Sequence, residues 1–152
     1  MAVTVYIGIG SNIGNREKNC LEAIRLMEEK GIKVIKRSSL YETEPWGVKD
    51  QPMFINMVIE AETEYAPAEL LNLLKSIERA MGRTETKRWG PRIIDLDILF
   101  YNNLILNTPE LRIPHPYIHE RDFVLKPLSE IAPELEHPVL KKRIKELHHD
   151  SK

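Results

Sequence analysis

Arg88-Trp89-Gly90-Pro91-Arg92-Ile93-Ile94-Asp95-Leu96-Asp97-Ile98-Leu99-Phe100, RWGPRIIDLDILF, places two carboxylates inside an otherwise apolar strand. A strand has period two. Ile94, Leu96, Ile98 and Phe100 therefore share one face, all apolar and suited to packing on helices. Ile93, Asp95, Asp97, Leu99 and Tyr101 share the other, so the two aspartates point the same way from adjacent pleats. Like charges this close repel unless something positive sits between them.

Working outward, the strand Ile93 to Tyr101 closes at the turn Asn102-Asn103. Before it, Tyr65-Ala66-Pro67 opens a helix with proline at its first position. Leu70, Leu74, Ile77 and Met81 form its stripe, and Gly82 ends it. Phe54 to Glu62 alternates, with Ile55, Met57, Ile59 and Ala61 on one face and Phe54, Asn56, Val58 and Glu60 on the other. Ile32 to Tyr41 reads as one further strand, and residues 42–52 as a loop. Residues 16–29 carry Cys20, Ala23, Ile24 and Met27 at helical spacing, and Val3 to Ile9 alternates as the first strand. The order is β-α-β-β-α-β, the ferredoxin-like split βαβ arrangement. The expected fold is α+β: a four-stranded antiparallel sheet with both helices on one face, followed by an irregular C-terminal extension. That extension is punctuated by prolines. It reads as a short hairpin, a helix near 121–131, and a last helix from about Leu140 to His148 with Leu140, Ile144 and Leu147 inward.

The totals fit one domain over residues 1–152. The chain is 42% hydrophobic and 30% charged, with a formal net charge of -1, so no basic surface points to nucleic acid. Its one cysteine, Cys20, excludes an internal disulfide and fits a reducing compartment. MAVTVYIGIG lacks the basic and long apolar regions of a signal peptide, and no run is long enough to span a bilayer. A cytoplasmic location is expected, with no membrane partner.

A bare Asp-x-Asp is short and common, and its ordinary role is to solvate an open sheet face or pair with arginines. Here its company matters. Arg88 and Arg92 lie upstream, and Arg112, His115, His119 and Arg121 downstream. Arginine forks fit phosphate oxygens, and magnesium takes one or two carboxylates plus water and substrate phosphate. Paired carboxylates among cations thus suggest a polyphosphate–metal site. Phe54 and Asn56, on the same open face, suit a flat heterocycle by stacking and hydrogen bonding. The bland alternative for Phe54, and for Phe123, is packing beneath the extension.

Other features carry less. Gly8 to Gly14 would need glycine at position 13 to match a dinucleotide fingerprint, and the element order is wrong for one. It reads as a tight turn into a helix, tied by Ser11 and Asn12. There is no GxxxxGK[ST] loop. His137, His148 and His149 lack ligand spacing, the last two reading as a solvated helix end. Cys20, on an apolar stripe, reads as core rather than nucleophile.

With RWGPRIIDLDILF, PHPYIHERDFVLKPL and GSNIGNR assembled, the chain resembles the 6-hydroxymethyl-7,8-dihydropterin pyrophosphokinase family. The likeness runs from Tyr6 to about Leu135. It also includes Tyr41-Glu-Thr-Glu-Pro-Trp-Gly and Gln51-Pro-x-Phe-x-Asn56. It implies transfer of pyrophosphate from ATP to the pterin's hydroxymethyl oxygen with release of AMP, in folate biosynthesis. Two magnesium ions on Asp95 and Asp97 are implied, with Arg92, Asp95, Asp97 and Arg121 as the catalytic set. Glu78, Arg88, Trp89, Arg92, Ile98, Leu111, Arg112, His115 and Arg121 would serve ATP. Thr43, Phe54, Asn56, Asp95 and Phe123 would hold the pterin, and a monomer is expected. Loops 42–52 and 83–92, bearing Trp46 and Trp89, would close over the substrates, and Arg83 and Lys87 are phosphate contacts on charge grounds only. The family commonly has tyrosine at this position; Phe54 keeps the ring stacking but cannot make a hydroxyl contact. Two other readings stay open at this point: a nucleotidyltransferase, from the Gly-Ser turn plus Asp-x-Asp, and a ferredoxin-like module binding nucleotide or RNA.

Overall fold

The computed structural model describes residues 2–44, 52–82 and 93–150. Its elements are β1 (Val3–Ser11), α1 (Arg16–Glu29), β2 (Lys33–Arg37), β3 (Tyr41–Thr43), β4 (Phe54–Thr63), α2 (Pro67–Ala80) and β5 (Asp95–Tyr101). The extension adds β6 (Leu106–Asn107), β7 (Arg112–Ile113), a 3₁₀ turn at Ile118–Glu120, α3 (Asp122–Ile131) and α4 (Ile144–Asp150). No helix among the described residues is long and apolar enough to cross a membrane.

The main sheet runs β2-β4-β1-β5 and is antiparallel throughout. This is the ferredoxin-like order expected from the alternating elements. The single strand expected over 32–41 is instead two pieces, β2 and β3, which pair successive stretches of β4. Ser38 makes the break. Its N–H donates to the Val58 carbonyl at 2.9 Å and its Oγ accepts from the Val58 N–H at 2.9 Å, so a side chain replaces one backbone rung.

On one face, α1 and α2 bury Val5, Ile7, Ile9, Ile55, Met57, Ile59, Leu96 and Ile98 beneath their own stripes. Cys20 belongs to this core, and burial pushes its thiol up to about 12, which makes it inert near neutral pH. α1 begins at Asn15, whose side chain accepts from the Lys18 N–H at 3.1 Å. Asn caps helices well because it satisfies an N–H that has no partner in the first turn.

The extension is more ordered than expected. α3 and α4 cover half of the opposite face, where Tyr6, Val58, Leu99 and Phe100 pack with Ile118, Leu125, Leu128 and Ile144. Phe100 corrects the period-two reading. β5 pairs Phe100 with Tyr6 but Ile98 with Ile7, so Leu99 is an extra residue. Such a bulge reverses the alternation beyond it. Leu99 and Phe100 therefore both point away from α1 and α2, and Tyr101 turns back towards them. Phe100 meets Tyr6 edge-on at 6.2 Å and His137 at 5.6 Å.

The last helix also starts later than expected. Residues 136–143 form a turn in which His137 Nδ1 accepts from the Val139 and Leu140 N–H groups at 3.2 and 3.1 Å. Leu140 is consequently outside α4 and 38% exposed. His148 is not simply solvated: its Nε2 lies 3.5 Å from Asp122 Oδ1, linking α4 to the start of α3.

Candidate active site

α3 and α4 leave uncovered the end of the sheet where β1 finishes and β4 and β5 begin. The open-face positions there are Gly8 and Gly10 in β1, Phe54 and Asn56 in β4, and Asp95 and Asp97 in β5. The register sets Gly10 between Asn56 and Asp95, and Gly8 between Val58 and Asp97. Two glycines thus make a flat floor, and the residues on either side make walls. A Cβ at Gly10 would stand 2.6 Å from Asn56 Oδ1 and 3.5 Å from a Phe54 ring carbon. At Gly8 it would meet only ordinary contacts with Leu99, from 3.5 Å. These glycines were not anticipated as part of a site. Their shared parity on the first strand was the available signal, obscured by their resemblance to a turn motif.

A slot stands on this floor. Thr43, Phe54, Asn56, Asp95 and Phe123 all line it, together with Asp97, Leu99 and Arg121. The Asn56 amide donates to Thr43 Oγ1 at 2.5 Å, which fixes the orientation of the amide. Beyond Gly10, the end of β1 and the turn after it are held by buried side chains. Asn12 Nδ2 donates to the Pro52 carbonyl at 3.0 Å, and Ser11 Oγ accepts from Asn19 Nδ2 at 3.2 Å.

A second basin runs along the outer edge of β5, between α2 and the segment 109–117. Glu78, Ile98, Leu111, Arg112 and His115 line it, with Lys75 and Tyr117 as additions not expected from sequence. Lys75 sits one helical turn before Glu78, a spacing that could have marked it. Asp95 and Asp97 line both basins. Glu78 is buried, and its Oε2 accepts from the Leu96 N–H at 2.8 Å. That bond ties the peptide between the two aspartates to α2.

Burial, with Arg121 nearby, lowers the His115 imidazole to about 4 despite the opposing pull of Asp95. His115 is therefore neutral at pH 7 and offers hydrogen bonds rather than charge. Its backbone N–H donates to the Leu99 carbonyl at 3.1 Å, joining the segment to β5. Arg121 is lowered by burial and raised by Asp97 and Asp95, the charges it faces. Its guanidinium carbon lies 5.3 Å from the Tyr117 ring centre and 5.5 Å from that of Phe123. Cation–ring contacts at this range hold the fork in place. Arg88, Trp89 and Arg92, with Trp46, Arg83 and Lys87, lie outside the described residues, as do most of the two loops expected to close.

No cluster of three or more His, Cys, Asp or Glu side chains suited to a metal ion occurs among the described residues. Two carboxylates alone make a poor all-protein cage. They fit magnesium, a hard cation that keeps waters and completes its shell with substrate phosphates.

Comparison with known proteins gives the chain's family. The sequence profile of 7,8-dihydro-6-hydroxymethylpterin-pyrophosphokinase (HPPK) matches residues 6–133. The chain is 44% identical over 143 residues to 2-amino-4-hydroxy-6-hydroxymethyldihydropteridine pyrophosphokinase of Aquifex aeolicus, covering 94% of this chain and 89% of that one. The protein of the same name in Bacillus subtilis is 48% identical over 132 residues, covering 86% of this chain and 79% of that one. Folic acid synthesis protein fol1 of Pneumocystis carinii is 53% identical over 135 residues; they are 89% of this chain but only 18% of that longer protein. Among solved structures, wild-type Plasmodium falciparum HPPK-DHPS with pteroate superposes with a TM-score of 0.81 at 20% identity, covering 99% of this chain and 42% of that one. At that identity the likeness speaks to the fold alone. The profile and the relatives decide the matter: this chain belongs to the 7,8-dihydro-6-hydroxymethylpterin-pyrophosphokinase family.

Proposed function

We propose that the slot on the open sheet face receives the hydroxymethyldihydropterin and that the basin along β5 receives ATP, with Asp95 and Asp97 at the boundary. The chain is a pyrophosphokinase of folate synthesis, transferring pyrophosphate from ATP to the hydroxymethyldihydropterin. The observation that supports the placement is that the two aspartates line both basins. The reacting atoms of two substrates must meet, and this carboxylate pair is where the two spaces meet.

The pterin ring would lie on the glycine floor between Phe54 and Phe123, with Asn56 and Thr43 at its polar edge. Aromatic sandwiching positions a flat ring at little entropic cost, and near-attack placement is a large part of a phosphoryl-transfer rate. Ile98, Leu111 and Arg112 would hold the nucleoside end of ATP, with Glu78 beside it. Neutral His115 would donate or accept a hydrogen bond there. Arg121, with Arg88 and Arg92, would hold the phosphates, and Trp89 would pack over the site. Asp95 and Asp97 would hold two magnesium ions, which supply charge neutralisation along the triphosphate and help orient it. In the transfer, the pterin hydroxyl oxygen bonds to the β-phosphorus as the bond from that phosphorus to the α,β-bridging oxygen breaks; AMP departs with that oxygen, and the hydroxyl proton is released to water.

The reading extends to a single pyrophosphokinase domain over residues 1–152, monomeric and cytoplasmic. The single buried cysteine fits a reducing compartment. Sedimentation velocity tests the monomer. The decisive assay supplies ATP, magnesium and 6-hydroxymethyl-7,8-dihydropterin and identifies the nucleotide product. AMP formed in step with pterin consumption is expected. ADP, or turnover indifferent to the pterin, overturns the assignment.

A further inference from the structure

The two walls of the slot come from separate parts of the chain. Thr43 stands on β3, a strand of three residues held to β4 by the pairs Tyr41↔Asn56, Glu42↔Ile55 and Thr43↔Phe54. Phe123 stands on the first turn of α3. A cleft continues outward from the slot between these two elements, with Tyr41, Thr43 and Glu44 on one side and Arg121, Phe123 and Pro127 on the other. Away from the slot, the same two elements are tied together.

The tie is Glu130, two helical turns after Phe123 on α3. One of its carboxylate oxygens accepts from the Tyr41 hydroxyl at 2.6 Å and from the Ser39 N–H at 2.9 Å. The other accepts from Ser39 Oγ at 3.0 Å. Lys126, on the same helical face, sets its Nζ 5.2 Å from the centre of the Tyr41 ring. Tyr41 is thus gripped at its hydroxyl and over its ring by one helix. Spacing by three and four residues puts Phe123, Lys126 and Glu130 on a single face. The grip falls where the edge strand most needs it. β2 ends at Arg37, and the side chain of Ser38 replaces a rung of the ladder. Three residue pairs alone are a weak hold for β3, and any shift of Thr43 also moves the Asn56 amide bonded to it.

We propose that Glu130 is a positioning residue: by tying Ser39 and Tyr41 to α3 it sets the separation of Thr43 from Phe123, and so the fit of the slot to a flat heterocycle. This rests on the pterin occupying the slot. Glu130 touches no substrate and acts through Tyr41 and Ser39. Its effect falls on pterin affinity and leaves the nucleotide basin, built from α2, β5 and the segment 109–117, unchanged.

The test titrates 6-hydroxymethylpterin fluorescence with magnesium and a saturating non-hydrolysable ATP analogue, and measures affinity for the analogue separately. Glu130→Ala removes three exposed hydrogen bonds that order the wall without touching the ligand, and weakens pterin binding by about 3- to 10-fold. KM for the pterin rises in step, while kcat and analogue affinity hold. Glu130→Gln still accepts from Tyr41 and recovers most of the loss. If Glu130→Ala does not fold, Tyr41→Phe removes the 2.6 Å bond alone and carries the same expectation. Wild-type pterin affinity in these variants overturns the proposal, as does an equal loss for pterin and nucleotide, which marks general loosening. Phe123→Ala separates the two levels. If it leaves pterin affinity intact, the slot assignment itself is wrong. If it weakens the pterin and Glu130→Ala does not, only the coupling is wrong.

Discussion

Towards α1 and α2, β1 presents Val5, Ile7 and Ile9, and β5 presents Leu96 and Ile98; towards the other side, β1 presents Tyr6, Gly8 and Gly10, and β5 presents Asp95 and Asp97. The same strands make both surfaces. The first is governed by volume alone, since every position must fill a close-packed layer. The second is divided. Near Tyr6 and Phe100 it too is packed, by α3 and α4, but near Gly10 and Asp95 it stays open and polar. A single face thus holds a packed half and an open half that carries the candidate site. Substitutions on the two surfaces should therefore fail in different ways.

The sharpest contrast sets Asp97→Ala against Leu74→Ala. Removing the Asp97 carboxylate takes away one of two candidate metal ligands, and turnover should fall by at least about 100-fold, or about 3 kcal/mol of barrier. The melting temperature should hardly move, because the side chain leaves no hole in a core. Leu74, on the buried face of α2, is 1% exposed, and truncating it should cost about 2–5 kcal/mol of stability while the folded fraction stays active. Steady-state kinetics and denaturant melts on both variants read this directly. Full turnover by Asp97→Ala, or an active-site defect in the folded Leu74 variant, would break the contrast.

A finer division lies between the two floor glycines. Gly10→Ala drives a methyl to 2.6 Å from Asn56 Oδ1, so the amide must leave its bond with Thr43. Pterin affinity should drop by about tenfold, the worth of about 1.4 kcal/mol, with the nucleotide still bound. Gly8→Ala meets Leu99 only at ordinary contact distance and should change affinity less. Equal effects of the two would show that the floor is not shaped as the register indicates.

The smallest effect concerns the packed half of the divided face. Burial and the neighbouring His119 lower the pKa of His137 below its ordinary 6.5, and its Nδ1 accepts two backbone N–H bonds that a proton would abolish. Below pH 6.5 the unfolded chain binds the proton more readily than the folded one. The stabilisation is thus complete above that pH and is lost as pH falls towards the lower folded value. His115, lowered to about 4, adds loss in the same window. The test is therefore a difference: between pH 7.5 and 5.5 the melting temperature of wild type should fall more than that of His137→Asn. Parallel curves would remove His137 from this role.

Much of this was legible in advance. Alternation in β1, β4 and β5 and the stripes of α1 and α2 depend on residues a few positions apart, and these elements formed where the periods placed them. Period two alone put Asp95 beside Asp97 and Phe54 beside Asn56. The family motifs then separated two groups of residues: the five of the pterin group line the slot, and of the ATP group Glu78, Ile98, Leu111, Arg112 and His115 line the basin along β5, whereas Arg121 lines the slot. The signal failed where an element depends on a distant partner. The bulge at Leu99 turns Phe100 towards Tyr6 and His137, and nothing in the local pattern of Ile98-Leu99-Phe100 announces it. The strand expected over 32–41 breaks because Ser38 finds Val58.

Spacing along one chain was enough to set the order of the main elements, the apolar faces of β1, β4 and of β5 as far as Ile98, and the chemical kinds gathered in the motifs. Only the tertiary structure decided that Gly8 and Gly10 form a floor, that Glu78 secures Leu96 between the aspartates, and that Glu130 holds Tyr41 from 89 residues away. These depend on strand register and helix docking, in which groups far apart in the chain meet, and their contacts leave no periodic trace in sequence.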